Sequence, residues 1–277
     1  LTTEYGVTRV CLGWPWYAGP DQHTYQRYME MVHYFGKLQE RSEWLAWAHA
    51  EGITREGMPS LDKGGNDGGA DCDIMVEDGI FEFGYSDEGG LSLPGLAREN
   101  VADNALRDDY DYLLFWDDDM LFSWATFLKL WRHQKPIVAA LAFAAREPTY
   151  PVIFRINQMR VGGEVIHKSQ YVLDYPKDQL ISDEDIGAAI AFGAGVVLIH
   201  MDVFRQIPKP WFYSTGCGED WMFCVRAYLN GVPRYVDTAT KTYHKEWAPR
   251  WIGEEQYEQR RKDHPDVYAK LEEAGRG

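Results

Sequence analysis

Four groups of residues have types and spacings that could do chemistry. The first is Asp117-Asp118-Asp119, three consecutive acids directly after the apolar run Tyr112-Leu113-Leu114-Phe115-Trp116. Like charges this close raise one another's pKa unless a cation offsets them. On an extended chain Asp117 and Asp119 would point one way and Asp118 the other. Oxygen-only ligands suit Mg²⁺ or Mn²⁺, ions that commonly bridge to substrate phosphates. An acidic helix N-terminus is the structural alternative. An EF-hand loop does not fit, because Leu121 stands where a third acid or amide belongs. The second group is Gly218-Glu219-Asp220 ahead of an apolar-faced helix. Acids there serve as caps, or as a rigidly held general base. The third is His244 beside Lys245, just past a β-rich stretch; an imidazole added to carboxylates moves the metal preference from Mg²⁺ towards Mn²⁺. The fourth is Gly193-Ala194-Gly195, which permits close backbone approach to a ligand or forms a bulge or tight core contact.

The elements that must position these groups follow from pattern. Thr8–Leu12 reads as a first strand ending in a loop at Gly13-Trp14-Pro15. Asp21–Glu51 reads as helical and amphipathic. From Gly52 to Leu93 the chain is Gly-rich and acidic, with Ile74–Val76 and Ile80–Phe83 as its β-like pieces. Ala97-Arg98-Glu99-Asn100 opens a helix with apolar Ala97, Val101, Ala105 and Leu106. Tyr112–Trp116 and Ile137–Phe143 are continuous apolar runs of strand length, as in a sheet buried on both faces. Between them lies a helix containing Phe127, Leu128, Leu130 and Trp131, with Ser123 as its cap. Val152–Val172 alternates loosely, Ile190–Ile199 is apolar, and Asp202–Gln206 begins a short helix. A helix from Gly218 ends at Asn230-Gly231, and Arg234–Val236 is a strand. Glu254–Glu273 is a polar helix broken at Pro265. Strand, helix, strand in this order predicts an α/β layer fold with a mostly parallel central sheet flanked by helices. Ligands of such sheets bind in the crevice beyond the strand C-termini, where the triple aspartate falls.

Composition narrows the field. The 277 residues are 45% hydrophobic and 26% charged, which is globular and excludes disordered or fibrous classes. No apolar run approaches the roughly 18 residues of a membrane span; the longest, Ile190–Ile199, is interrupted by Gly193 and Gly195. The charge of 28 − 43 = −15 opposes non-specific nucleic-acid binding. Arg260-Arg261-Lys262 is flanked by acids and reads as a solvated helix face. Cys11, Cys72, Cys217 and Cys224 form no C-x-x-C pair, so a reduced, cytoplasmic setting is the default. The third glycine and the helix of a dinucleotide fingerprint are missing around Gly193, and neither a G-x-x-x-x-G-K-[ST] loop nor a G-x-S-x-G elbow occurs.

In order and spacing, several segments together resemble the metal-dependent nucleotide-sugar glycosyltransferases of the GT-A fold. They are Ala97–Asn100, Tyr112–Asp119, Lys135-Pro136-Ile137-Val138-Ala139-Ala140, Phe192–Ile199, Gly218–Cys224 and His244. The resemblance covers about residues 94–245 and the first strand. It implies a GT-A-like catalytic domain over 1–250, with a Gly-rich insert at about 52–93, and a C-terminal helical tail over 251–277. It further implies that Asp119 binds the metal, that Asp117 lies by the ribose or the metal's water shell, and that His244 completes the metal site. Glu219 and Asp220 resemble the xED motif, with Asp220 the base of an inverting enzyme. Arg98, Asp117, Asp118, Gly13, Trp14, Pro15 and Lys245 would bind the donor, and Lys245 would assist the leaving group. Gly193, Ala194 and Gly195 would line the sugar and acceptor side. Trp211, Phe212, Tyr213, Trp247 and Trp251 offer flat faces for a sugar or base, with core packing as their alternative.

The implied cofactor is Mn²⁺ or Mg²⁺, and the implied donor a nucleoside-diphosphate sugar, a UDP-sugar favoured. The implied acceptor is a saccharide, a protein side chain, a small molecule or a hydroxymethylated DNA base. The compact form resembles bacterial and phage-associated members, which work in the cytoplasm of a bacterium or an infected host cell. Two other classes are a sugar nucleotidyltransferase and a non-catalytic carbohydrate- or metal-binding module. The former normally carries a basic Gly-rich loop after the first strand, where this chain has Gly13-Trp14-Pro15-Trp16.

Overall fold

The computed structural model describes residues 7–16, 35–39, 80–89, 94–122, 125–161, 164–214, 218–245 and 251–274. The strands are β1 (Val7–Trp16), β2 (Ile80–Gly89), β3 (Tyr112–Trp116), β4 (Met120–Phe122), β5 (Ile137–Leu141), β6 (Ile153–Val161), β7 (Glu164–Tyr171), β8 (Leu180–Ile181), β9 (Ile190–Phe192), β10 (Val196–His200), β11 (Tyr235–Lys245) and β12 (Trp251–Ile252). The helices are α1 (Pro94–Arg107), α2 (Thr126–Arg132), α3 (Asp183–Ile186), α4 (Asp202–Gln206), α5 (Glu219–Leu229), α6 (Glu254–Asp263) and α7 (Pro265–Ala274). Residues 35–39 are also helical.

The main sheet has the order β12-β11-β5-β10-β3-β1-β2, with β4 and β8 paired to β11. Parallel pairs join β2 to β1, β1 to β3 and β5 to β11, while β10 runs antiparallel between β3 and β5. The larger strands therefore run mostly in one direction, as the apolar runs predict. Alternate residues feed two cores. Leu113, Phe115, Ile137, Ala139, Leu141, Val197 and Ile199 face one side; Leu114, Trp116, Val138, Ala140, Val196 and Leu198 face the other. All five residues of β3 and of β5 are buried. The first core includes α1, α5 and Tyr257 of α6; the second includes α2 and an edge-packed cluster of Phe35, Phe81, Phe83, Phe127 and Trp131. No helix among the described residues is long and apolar enough to cross a membrane.

The structure departs from the pattern in four places. β1 does not end at Gly13 but continues to Trp16, ten residues in register with β2. Gly13 permits this, since a Cβ there would meet Val101 of α1 at 2.7 Å and Leu113 at 2.9 Å. Past Gly13 the pairing with β3 stops, so Pro15 lies where the strand has a partner on one side only. Ile190–Ile199 is two strands in two sheets, because β9 joins the β7-β6-β9 sheet and Gly193-Ala194-Gly195 carries the chain across. The strand at Arg234–Val236 is the opening of the eleven-residue β11, which reaches His244. Finally, α2 has Ala125 at its N-cap, with no side-chain cap bond.

Several expectations lie outside the described residues: the proposed cap Ser123, Trp247, Cys72 and Cys217, the side chains of Trp14, Pro15 and Trp251, most of the helix predicted over Asp21–Glu51, and the Gly-rich segment apart from β2.

Candidate active site

Topology brings the separated motifs together. β10 is antiparallel to β3, and Val196 pairs with Trp116. The residue before Val196 must then face the residue after Trp116, and the Gly195 carbonyl accepts the Asp117 N–H at 2.8 Å. Gly193 packs on Val152 and lies by Asp220, with an added Cβ 2.7 Å from Val152 Cγ1 and 3.4 Å from Asp220 Oδ2. The Ala194 N–H donates to Asp220 Oδ2 at 3.4 Å. The glycine run is thus the backbone seam between the strand-end acids and the helix-start acids.

Arg98 joins the same two groups by side chain. It projects from α1, is 2% exposed and lies over the Phe115 ring, 5.4 Å from its centroid. One NH2 donates to Asp117 Oδ1 at 2.6 Å, and Nε donates to Glu219 Oε1 at 3.3 Å. Burial raises the pKa of Asp117 above the carboxylate range, against the pull of Arg98, and Asp119 and Asp220 raise it further. Burial and the neighbouring Glu219 also raise that of Asp220, although the N–H groups of Trp221 and Ala194 point at its oxygens. The helix N-terminus opposes this rise only in part.

Asp117-Asp118-Asp119 is not extended. The Met120 N–H donates to the Asp117 carbonyl at 3.1 Å, so the acids occupy a turn. This corrects the same-side arrangement expected of a strand: Asp117 turns to Arg98, and Asp119 to His244. Asp118 is half-buried at the crown of the turn. His244 Nδ1 lies 2.9 Å from the Phe143 carbonyl, which can only accept, so Nδ1 carries a proton. Nε2 then faces Asp119 Oδ2 at 2.9 Å. Burial works against an imidazolium here, but the bond and charge of Asp119 prevail and the His244 pKa is raised. Lys245 adjoins the pair, its N–H donating to the Asp119 carbonyl at 2.8 Å.

Among the described residues, no three His, Cys, Asp or Glu side chains already converge as a ready metal cage. The Asp119–His244 pair nevertheless fits a divalent cation. An imidazole whose other nitrogen donates to a backbone carbonyl is the usual ligand arrangement. Two neighbouring ligands of an octahedral ion at about 2.1 Å are about 3 Å apart, which matches the 2.9 Å separation. Asp117 and Glu219 are bonded to the Arg98 guanidinium, and Asp220 lies within its field. Asp117, the third expected ligand, places its Oδ1 on Arg98.

Trp211 is corrected outright. It is 2% exposed, donates Nε1–H to the Ile207 carbonyl at 2.8 Å and packs on Phe204, so no ring face is open to a sugar. Phe212 is likewise core, stacked on Phe223. Gly13 is also interior, at a close helix–sheet contact within β1 rather than in a loop. Pattern reading missed Glu99, whose carboxylate accepts the N–H groups of Trp211 and Phe212 at 2.9 and 2.8 Å and so anchors the chain leading to Glu219. Its place one residue after Arg98 was the available signal.

No family model matches the chain, and no curated protein matches it. Among solved structures it is similar to A197 from STIV, at 12% identity and a TM-score of 0.42, over 89% of this chain and 94% of that one. It is also similar to UDP-glucose pyrophosphorylase complexed with UDP-glucose, at 10% identity and 0.36, over 94% and 99%. A third is a putative glucose-1-phosphate thymidylyltransferase from Bacillus anthracis, at 14% identity and 0.29, over 72% and 66%. All three are distant in sequence and in shape and carry no argument about chemistry.

Proposed function

We propose that this chain is a glycosyltransferase that moves a hexosyl or pentosyl group from a nucleoside-diphosphate sugar, a UDP-sugar favoured, to an acceptor hydroxyl with inversion. The observation that carries this reading is the joining of the two acidic motifs by Arg98, 2.6 Å from Asp117 and 3.3 Å from Glu219, beside the Asp119–His244 pair. Asp119 and His244 would hold Mn²⁺ or Mg²⁺, which when bound supplies Lewis-acid stabilisation of charge on the departing diphosphate.

The chain's own residues do the rest. Arg98 holds Asp117 and Glu219 in place at the donor end. Asp220, oriented by the N–H groups of Ala194 and Trp221, takes the proton of the acceptor hydroxyl as it attacks the anomeric carbon. A raised carboxylate pKa suits a base working near neutrality. Gly193 lets Val152 pack close beside Asp220, and Lys245 supplies a positive charge next to Asp119. Residues 1–250 form the catalytic unit in this reading, and 251–277 the tail.

Thermal shift against UDP, GDP, CDP and TDP, each with and without Mn²⁺, tests the reading. Ligand at one hundred times Kd raises stability by about 2.7 kcal/mol. A Mn²⁺-dependent shift for one nucleotide supports it, and no shift for any of the four contradicts it. Product analysis then separates the classes: release of nucleoside diphosphate marks sugar transfer, and turnover of nucleoside triphosphate to pyrophosphate marks a nucleotidyltransferase.

A further inference from the structure

β11 carries His244 to the site only because it skips. Along β5 the partners advance one residue, Ala140 to Leu141, while along β11 they advance four, Asp237 to Lys241. Residues 238–240 are extra. A regular strand would set Lys241 four steps past Asp237; here that place belongs to His244. Were residues 238–240 laid in regular register instead, His244 would lie about 10 Å farther along, at about 3.3 Å per residue, and the odd shift would turn it to the opposite face. The skip thus supplies both the reach and the facing that bring Nε2 to 2.9 Å from Asp119.

One buried carboxylate closes this excursion. Asp237, 3% exposed, accepts the N–H of Ala239 at 2.9 Å and of Thr240 at 3.3 Å on Oδ1. Its Oδ2 accepts the Thr240 hydroxyl at 2.7 Å and meets His133 Nε2 at 2.9 Å. His133 is the C-cap of α2, the helix that follows the Asp117–Asp119 turn. The same carboxylate therefore ties the excursion to the segment that follows Asp119. Thr238 pins the other side, its N–H on the Gln179 carbonyl at 2.9 Å and its hydroxyl within reach of the Pro176 and Gln179 carbonyls. Bulges beside functional sites commonly re-aim a side chain in this way.

We propose that Asp237 is the positioning residue of the candidate site, holding the 238–240 excursion so that His244 is aimed at Asp119. The consequence for cation binding rests on the function proposed above; the aiming itself does not. The test uses Asp237→Ala, Asp237→Asn and Thr240→Val in the full chain, each shown folded by far-UV circular dichroism at the working temperature. Two readouts apply. One is the His244 ring ¹⁵N and ¹H shifts of the metal-free protein, assigned with His244→Gln. The other is the Mn²⁺ dissociation constant from the electron paramagnetic resonance of free Mn²⁺. The expected result is loss of the wild-type His244 ring signature and Mn²⁺ affinity about 10–100-fold weaker in Asp237→Ala, with smaller changes in the other two. Variants that melt earlier yet keep the wild-type His244 signature overturn the proposal. If the wild type itself binds no Mn²⁺, the functional reading fails and the ring signals still decide the aiming.

Discussion

Replacing Arg98 with Met isolates the contact that holds the site together. Arg98 is 2% exposed, and the side chains of Asp117 and Glu219 are 21% and 17% exposed. Met retains the aliphatic packing on Phe115 and removes the charge. Taking one partner from a buried ion pair costs about 3–5 kcal/mol. At roughly 2–3 °C per kcal/mol for a chain of this size, melting should fall by about 6–15 °C.

The loss should also depend on pH. Asp117 already has a raised pKa, chiefly from burial and against Arg98. Without the guanidinium it rises further and takes up a proton. A folded-state carboxylate pKa above the unfolded value near 3.9 means the native state binds more protons between the two, so stability falls as pH rises through that window. The variant's deficit should therefore be smaller at pH 5 than at pH 8. Arg98→Lys restores a charge but not a fork that spans both partners, so it should recover only part of the loss. Differential scanning fluorimetry with a chelator, at both pH values, reads all three proteins. An Arg98→Met variant within about 2 °C of wild type at pH 8 would refute the buried bridge.

Three further outcomes are expected. Asp220→Asn should keep Mn²⁺-dependent nucleotide binding and lose transfer by about 10²–10⁴-fold, the usual span for a general base; near-native turnover would remove it from that role. Trp211→Phe should lose about 1 kcal/mol with its indole bond and leave nucleotide binding unchanged, whereas lost binding at unchanged melting temperature would restore Trp211 as a ligand face. Glu254 is 14% exposed on its side chain and accepts from Lys241 at 2.6 Å and Tyr175 at 2.7 Å. Burial opposes its ionisation, but these partners hold its pKa below the usual value. That stability is present above about pH 4.3 and is lost as pH falls through the lowered value. Glu254→Gln should thus destabilise by about 1.5–3 kcal/mol at pH 7 and by almost nothing at pH 3, read by urea titration at each pH.

Much of the frame is written in local pattern. Tyr112–Trp116 and Ile137–Leu141 are unbroken apolar runs because both faces of the sheet are covered, and the helix from Glu219 shows its buried stripe directly. Pro265 marks the break between α6 and α7. The failures have physical causes. Gly13 resembles a strand stop, yet its missing side chain is what lets α1 approach. Gly193-Ala194-Gly195 lies inside one apolar run, and periodicity cannot say that the chain changes sheets there. An aromatic such as Trp211 suits a core or a sugar platform equally until its neighbours are known. The acids at 117–119, 219 and 220 are visible as motifs, but the guanidinium joining them is a contact between residues 121 positions apart. The excursion at 238–240 is equally hidden, since its partner strand lies about a hundred residues earlier.

Whether Asp119 and His244 form the proposed cation-dependent nucleotide site can be read by isothermal titration of the preferred nucleoside diphosphate into wild type and Asp119→Ala, each with Mn²⁺ or chelator. Wild type should bind only with Mn²⁺, and the variant should lose that dependence. Equal binding by both proteins in Mn²⁺, or metal-independent binding by wild type, would contradict the proposal.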